Sequence, residues 1–182
     1  MLVSDEHQIM SKFDISRVLT RMAHQIVERH KGVSSLVFVG LHTRGFPIAS
    51  RLSNAIFEFE GESVPVVPLD ISLYRDDVTD RDSDRVRLTR FPVDIDGRSI
   101  VIIDDVLFTG RTVRAALGEL HDYGRPRWIR LAVLVDRGLR ELPIQADFTG
   151  RVIESAPTDR VVVVAGELPS DDDAVFVESG LS

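Results

Sequence analysis

Two carboxylates stand side by side at Asp104 and Asp105. They are followed by Val106, Leu107 and Phe108 and then by a short polar turn, Thr109-Gly110-Arg111-Thr112. The turn suits an anion. Gly110 lets the backbone come close, the two hydroxyls donate, and a helix starting there offers free N–H groups and the positive end of its dipole. The acidic pair cannot welcome a phosphate, but carboxylates accept hydrogen bonds from hydroxyls. Together the two features ask for a ligand that carries a sugar diol next to a phosphate. Thr43-Arg44-Gly45 is a second position of the phosphate type.

The elements around these residues follow from periodicity. Ile100 to Ile103 is a continuous apolar run, which reads as a central parallel strand buried on both faces. Val113, Ala116, Leu117 and Leu120 then recur at helical spacing, with Gly124 as the stop. Ligands of open parallel sheets bind outside the carboxyl ends of the strands, which is where the acidic pair falls. Leu36 to Leu41 repeats the pattern: a strand, a loop with Thr43 and Arg44, and a helix from about Ile48 to Phe57. Upstream, Asp14 is the expected N-cap of a helix from Ile15 to about His30, ended by Gly32. Its outer side carries Arg17, Thr20, Arg21 and His24, either a solvated face or one edge of an RNA-binding surface. Val64 to Leu73 reads as a strand, and Pro65 and Pro68 place it at a sheet edge. Residues 74–90 are polar and of mixed charge, as in a lid over a site or an inert loop. Trp128 to Asp136 is another strand, ending at the same edge as Asp104. Arg160 to Val164 is a last strong β run, and Ala174 to Val177 either adds an edge strand or trails loosely.

Composition bounds the class. With 182 residues and 43% hydrophobic residues, the chain is expected to form one domain with a sizeable core. It has no Cys, which excludes disulfides and thiolate chemistry. No apolar run approaches the ~20 residues that span a membrane, and the first residues lack the basic and apolar regions of a signal peptide. A cytoplasmic protein is the expectation. The net charge of −7 is uneven: residues 166–182 hold Glu167, Asp171, Asp172, Asp173 and Glu178 and no base. All but Lys12 and Lys31 of the 22 basic residues are Arg, whose planar fork suits phosphate.

The stretch from Ile100 to Thr112 resembles the 5-phosphoribosyl-1-diphosphate (PRPP) motif of type I phosphoribosyltransferases. The resemblance implies an α/β fold with a central, mostly parallel sheet flanked by helices, a flexible lid loop and a small hood region. It implies that Asp104 and Asp105 hold the ribose hydroxyls and that Val106, Leu107, Phe108, Thr109, Gly110, Arg111 and Thr112 hold the 5-phosphate. It gives Thr43 and Arg44 the pyrophosphate, with Asp104, Asp105 and Arg44 the catalytic set. Magnesium is held mainly by the substrate, with no dedicated protein metal site. Arg75, Arg85 and Arg87 add charge from the lid.

Longer stretches are similar to the bacterial pyrimidine-operon attenuation regulators that are also uracil phosphoribosyltransferases. These are Ala23–Gly32, Val39–Leu52, Leu69–Asp77 and Leu131–Phe148. That narrower resemblance implies uracil and PRPP as substrates and UMP as product and effector. It also implies pyrimidine-operon leader mRNA as a partner, and a homodimer or larger homo-oligomer. Uracil is expected at Leu134, Val135, Asp136 and Arg137, and RNA at Thr20, His24, Arg137 and Arg140. Two positions depart from the family run D-R-G-H-R-E-L-P-I-R-A-D: Leu139 stands for His and Gln145 for Arg. Fewer cations weaken phosphate contacts. The alternatives are an RNA-binding regulator with vestigial catalysis and a phosphoribosyltransferase for another base.

Overall fold

The computed structural model describes residues 6–41, 43–71 and 91–180. The elements in order are β1 (Glu6–Ser11), α1 (Lys12–His30), β2 (Leu36–Leu41), α2 (Gly45–Glu60) and β3 (Val66–Leu69). Then come β4 (Ser99–Leu107), α3 (Arg111–Tyr123), β5 (Trp128–Asp136), β6 (Phe148–Val152), β7 (Arg160–Val164) and β8 (Ala174–Glu178). Five strands form one parallel sheet in the order β3-β2-β4-β5-β6. The apolar runs of β2, β4 and β5 therefore sit at its centre, where both faces need cover. One face packs Leu36, Phe38, Val101 and Ile103 against α1 and α2; the other packs Val37, Ile100, Ile102 and Val133 against α3. The second sheet is small and antiparallel, in the order β1-β8-β7, and buries Met10, Val161, Val163 and Val175 in the first of these cores. It is the hood of the expected fold.

Several boundaries are corrected. Asp14 is not the N-cap of α1: Ser11 is, and Asp14 is the third helical residue of a capping box. The Ser11 hydroxyl accepts from Asp14 N at 3.3 Å, and the Asp14 carboxylate accepts from Ser11 N at 2.9 Å. The Ser11 hydroxyl also donates to the Asp14 carboxylate at 2.6 Å, and this bond, followed by that from Ser11 N, pulls the Asp14 carboxyl down to about 2. At the other end the left-handed residue is Lys31, with φ of 63°, and Gly32 follows it by donating to Val27 O. Helix α2 begins three residues before Ile48, because Pro47 lies in the first turn, where no N–H partner is required. Of the strand expected over 64–73, the described residues form β3 over Val66–Leu69, at the sheet edge its prolines indicated. The tail is neither edge nor loose: β8 is the middle strand of the hood, because β1 pairs on its other side. The proposed lid, with Arg75, Arg85 and Arg87, lies outside the described residues.

Candidate active site

The site is built by two adjacent parallel strands and the helices that follow them. Strand β2 leads into Thr43-Arg44 and α2, and β4 leads into Phe108-Thr109-Gly110 and α3. Both loops leave the carboxyl edge of the sheet side by side. The first is clamped against β4. A Cβ on Gly45 would lie 2.2 Å from Ile103 O and 3.1 Å from Asp104 Cα, so only glycine lets this loop pass there. The second turns on Gly110, which has φ of 91° and caps α3. Neither helix has a carboxylate in its first turn or a side-chain cap. At the start of α3, Arg111 N donates to the Thr109 hydroxyl at 3.3 Å.

The acidic pair lies inside β4 rather than after it, since the strand continues to Leu107 and Asp104 pairs with Val133 of β5. Asp104 is buried, with 8% of its surface exposed, and its carboxylate accepts from Asp105 N at 2.9 Å. Burial, and then the charge of Asp105, push the Asp104 carboxyl well above the usual range. Asp105 is partly exposed; one oxygen accepts from Val106 N, and the other lies 3.9 Å from Arg44 Nη1. The structure thus brings Arg44 of the first loop to the acidic pair of the second. Thr43 and Arg44 are exposed; in the second loop Leu107 and Gly110 are buried, Arg111 is exposed, and Val106, Phe108, Thr109 and Thr112 are intermediate.

The residues expected to read the base are placed differently. Leu134 and Val135 are wholly buried, and β5 is paired with β4 and β6 as far as Asp136. The Asp136 carboxylate is occupied: one oxygen accepts from Gly138 N at 2.9 Å and the other from Arg140 at 2.5 Å. Arg137 is buried and points into the fold. It donates to the Ser155 hydroxyl and to the carbonyls of Ala156 and Asp159, and stacks over the Phe108 ring at 4.2 Å. Burial of this cation is matched by internal acceptors. Arg140 is also turned inward, as described below. Thr20 and His24 do lie on the exposed face of α1. The Thr20 hydroxyl donates to Ser16 O, and the His24 ring stacks on Phe59 at 3.9 Å. Beside the ends of β5 and β6 is a recess of about 580 Å³, bordered by Asp136, Leu139, Ile144, Gln145, Val152 and Ile153. The departures Leu139 and Gln145 both fall on its rim.

Reasoning from the sequence named residues of the segment from Gly138 to Gln145 but missed that it lies against the phosphate-type loop. Its packing of Ile144 under Gly110 leaves no periodic trace. Among the described residues no group of three or more His, Asp or Glu side chains is arranged to hold a metal, and no helix is long and apolar enough to cross a membrane.

Comparison with known proteins agrees with this geometry. Residues 8–168 match the model of the phosphoribosyl transferase domain. The chain is 50% identical over 176 residues to the Bifunctional protein PyrR of Chloroflexus aurantiacus, covering 96% of this chain and 97% of that protein. It is 52% identical over 166 residues to the Bifunctional protein PyrR of Thermus thermophilus, covering 91% and 92%. Among solved structures it is similar in fold to a hypoxanthine phosphoribosyl transferase of Trypanosoma cruzi, with a TM-score of 0.73 at 22% identity, covering 98% of this chain and 94% of that one.

Proposed function

This chain belongs to the phosphoribosyl transferase family, and we propose that it transfers the phosphoribosyl group of PRPP to uracil, giving UMP and pyrophosphate. Displacement at the anomeric carbon builds oxocarbenium character, as at other sugar centres. The protein then has three tasks: to fix the ribose, to neutralise the leaving group and to keep water out. Asp104 and Asp105 take the ribose hydroxyls. The N–H groups of the turn from Leu107 to Thr112 take the 5-phosphate. Thr43 and Arg44 take the pyrophosphate, and Arg75, Arg85 and Arg87 close over it.

One observation carries this reading. Two helix N-termini without carboxylates in their first turns flank an acidic pair, one member of which is buried with its carboxyl raised well above the usual range by that burial. The two helix starts carry no acid to repel a phosphate, and the pair between them presents acceptors for sugar hydroxyls. The donor set fits magnesium as a substrate-borne ion, since two neighbouring carboxylates are too few oxygens to cage it. When bound, the ion would supply positive charge to the departing pyrophosphate, and Asp104 and Asp105 are the residues that would help to hold it.

The second role is that of a cytoplasmic pyrimidine-operon regulator binding leader mRNA in response to UMP, as a homodimer or larger assembly. The relatives' designation as bifunctional supports it, as does the exposed face of α1 with Arg17, Thr20, Arg21 and His24. The recess beside the ends of β5 and β6 has room for a pyrimidine, and its lining, which includes Asp136 and Arg137, reads the base edge.

Turnover with PRPP and Mg²⁺ tests the catalytic reading. Purified protein converts uracil and not hypoxanthine, adenine or orotate. Turnover of a purine alone would replace uracil with another base; no turnover, together with tight binding of the leader transcript, would leave the regulator with vestigial catalysis.

A further inference from the structure

The segment from Gly138 to Gln145 crosses behind the phosphate loop and is bonded to it. Glu141 N and Leu142 N both donate to Thr109 O, at 3.0 and 3.2 Å. Ile144 packs under Gly110, where an added Cβ would lie 3.3 Å from its side chain. At the centre is Arg140, partly buried. Its Nη1 donates to Phe108 O at 2.9 Å and to Gly138 O at 3.0 Å, and its Nε donates to Ile144 O at 2.9 Å. Its Nη2 meets the Asp136 carboxylate at 2.5 Å. One planar guanidinium therefore joins the end of β5, the phosphate loop and the crossing segment. A lysine ammonium, a single nitrogen on a flexible stem, cannot span all of these acceptors.

The consequence lies in peptide geometry. In a trans peptide the C=O and the following N–H point in opposite directions. The carbonyls of Phe108 and Thr109 are both drawn to the crossing segment, one by Arg140 and one by Glu141 N and Leu142 N. The N–H groups of Thr109 and Gly110 are then aimed the other way, to the side where an anion would sit.

We propose that Arg140 is a positioning residue for PRPP: from behind the loop it fixes the direction of the amides that receive the 5-phosphate, and through Asp136 it ties that loop to the strand end beside the base. This rests on the phosphoribosyltransferase reading above. It also gives Arg140 a task inside the protein in place of the expected contact with RNA.

Calorimetric titration with PRPP and Mg²⁺, without uracil, tests it. The unaltered protein is titrated first; failure to bind PRPP there would sink the catalytic reading itself. Given binding, Arg140→Gln weakens PRPP affinity about tenfold or more, and Arg140→Lys by a smaller factor. At saturating PRPP the KM for uracil stays within about twofold, and affinity for leader RNA likewise, because the guanidinium acts on the loop alone. Asp136→Asn keeps the guanidinium but loosens its hold, so it weakens PRPP binding less, and the double variant is no worse than Arg140→Gln alone. If Arg140→Gln does not fold, Arg140→Lys and Asp136→Asn carry the test. Unchanged PRPP affinity in the variants, additive losses in the double variant, or lost RNA affinity with intact PRPP binding would each overturn the proposal.

Discussion

The N-terminus of α1 and those of α2 and α3 solve the same problem in opposite ways. Every helix start leaves N–H groups without intrahelical partners. At α1 the protein satisfies them itself: Ser11 and Asp14 exchange bonds, and a carboxylate sits on the positive end of the dipole. At α2 and α3 it does not. Arg44 and Gly110 occupy the cap positions with no side-chain bond, and the first turns hold no acid. Next to these open ends lies the buried Asp104, against which no cation stands among the described residues; Arg44 reaches its neighbour, Asp105. The hood side of the molecule is thus electrostatically complete, and the carboxyl edge of the sheet is not. Local stability is forgone where the missing charge is to come from a ligand.

Giving α3 the completeness of α1 is the sharpest way to break this contrast. Thr109→Asp places a carboxylate where the hydroxyl already accepts from Arg111 N. It leaves thermal stability unchanged or slightly raised, since an acid now faces the helix dipole. It lowers kcat/KM for PRPP by about a hundredfold, on the order of 3 kcal/mol, by repelling the 5-phosphate. A variant that keeps full turnover would show that the open end of α3 is not where phosphate docks.

The next effect comes from relieving the buried charge. Asp104→Asn keeps the acceptor for Asp105 N and removes the need to ionise, so at neutral pH it stabilises the protein by about 2 kcal/mol. The sign follows from the raised carboxyl. The folded protein holds the proton more tightly than the unfolded chain, so Asp104 favours folding in acid. That contribution fades as pH rises from the ordinary carboxyl value through the raised one. Denaturant midpoints across pH should therefore slope downward over that window for the natural chain and flatten for the variant. Turnover falls in the same variant, because a neutral amide cannot accept from a hydroxyl as a carboxylate does. A less stable Asp104→Asn protein would mean that a cation compensates Asp104 in solution.

These two regions were also unequally legible from sequence. The apolar runs of β2, β4 and β5 named the sheet and its buried centre, because a strand covered on both faces tolerates no polar alternation. The motif from Ile100 to Thr112 named the corner, since its chemistry is local. The hood was half read: β7 was clear, but β1 is EHQIMS, mostly exposed and without strong alternation, and it exists only because β8 pairs with it. The internal bonds of Arg137 and Arg140 were illegible for a related reason. An arginine reads as a surface cation until the carbonyls that surround it are known, and those of Phe108, Ile144, Ala156 and Asp159 converge only in the fold. Leu139 is similar: its φ of 58° follows from the turn closed by Asp136 on Gly138 N, not from any preference of leucine.

The smallest effect belongs to the completed side. Ser11→Ala removes the hydroxyl that accepts from Asp14 N, and with it one half of the capping box. The cost is about 1 kcal/mol, the usual worth of an N-cap. Asp14 then loses its largest support, so its carboxyl moves back up toward the ordinary value. Turnover is unchanged, because α1 begins at the hood, in sequence with β1, and not at the carboxyl edge of the parallel sheet. Thermal melts and steady-state rates on the same preparation separate the two quantities. Loss of turnover beyond the loss of folded protein would show that the cap of α1 reaches the site, and that the two regions are coupled rather than divided between stability and ligand binding.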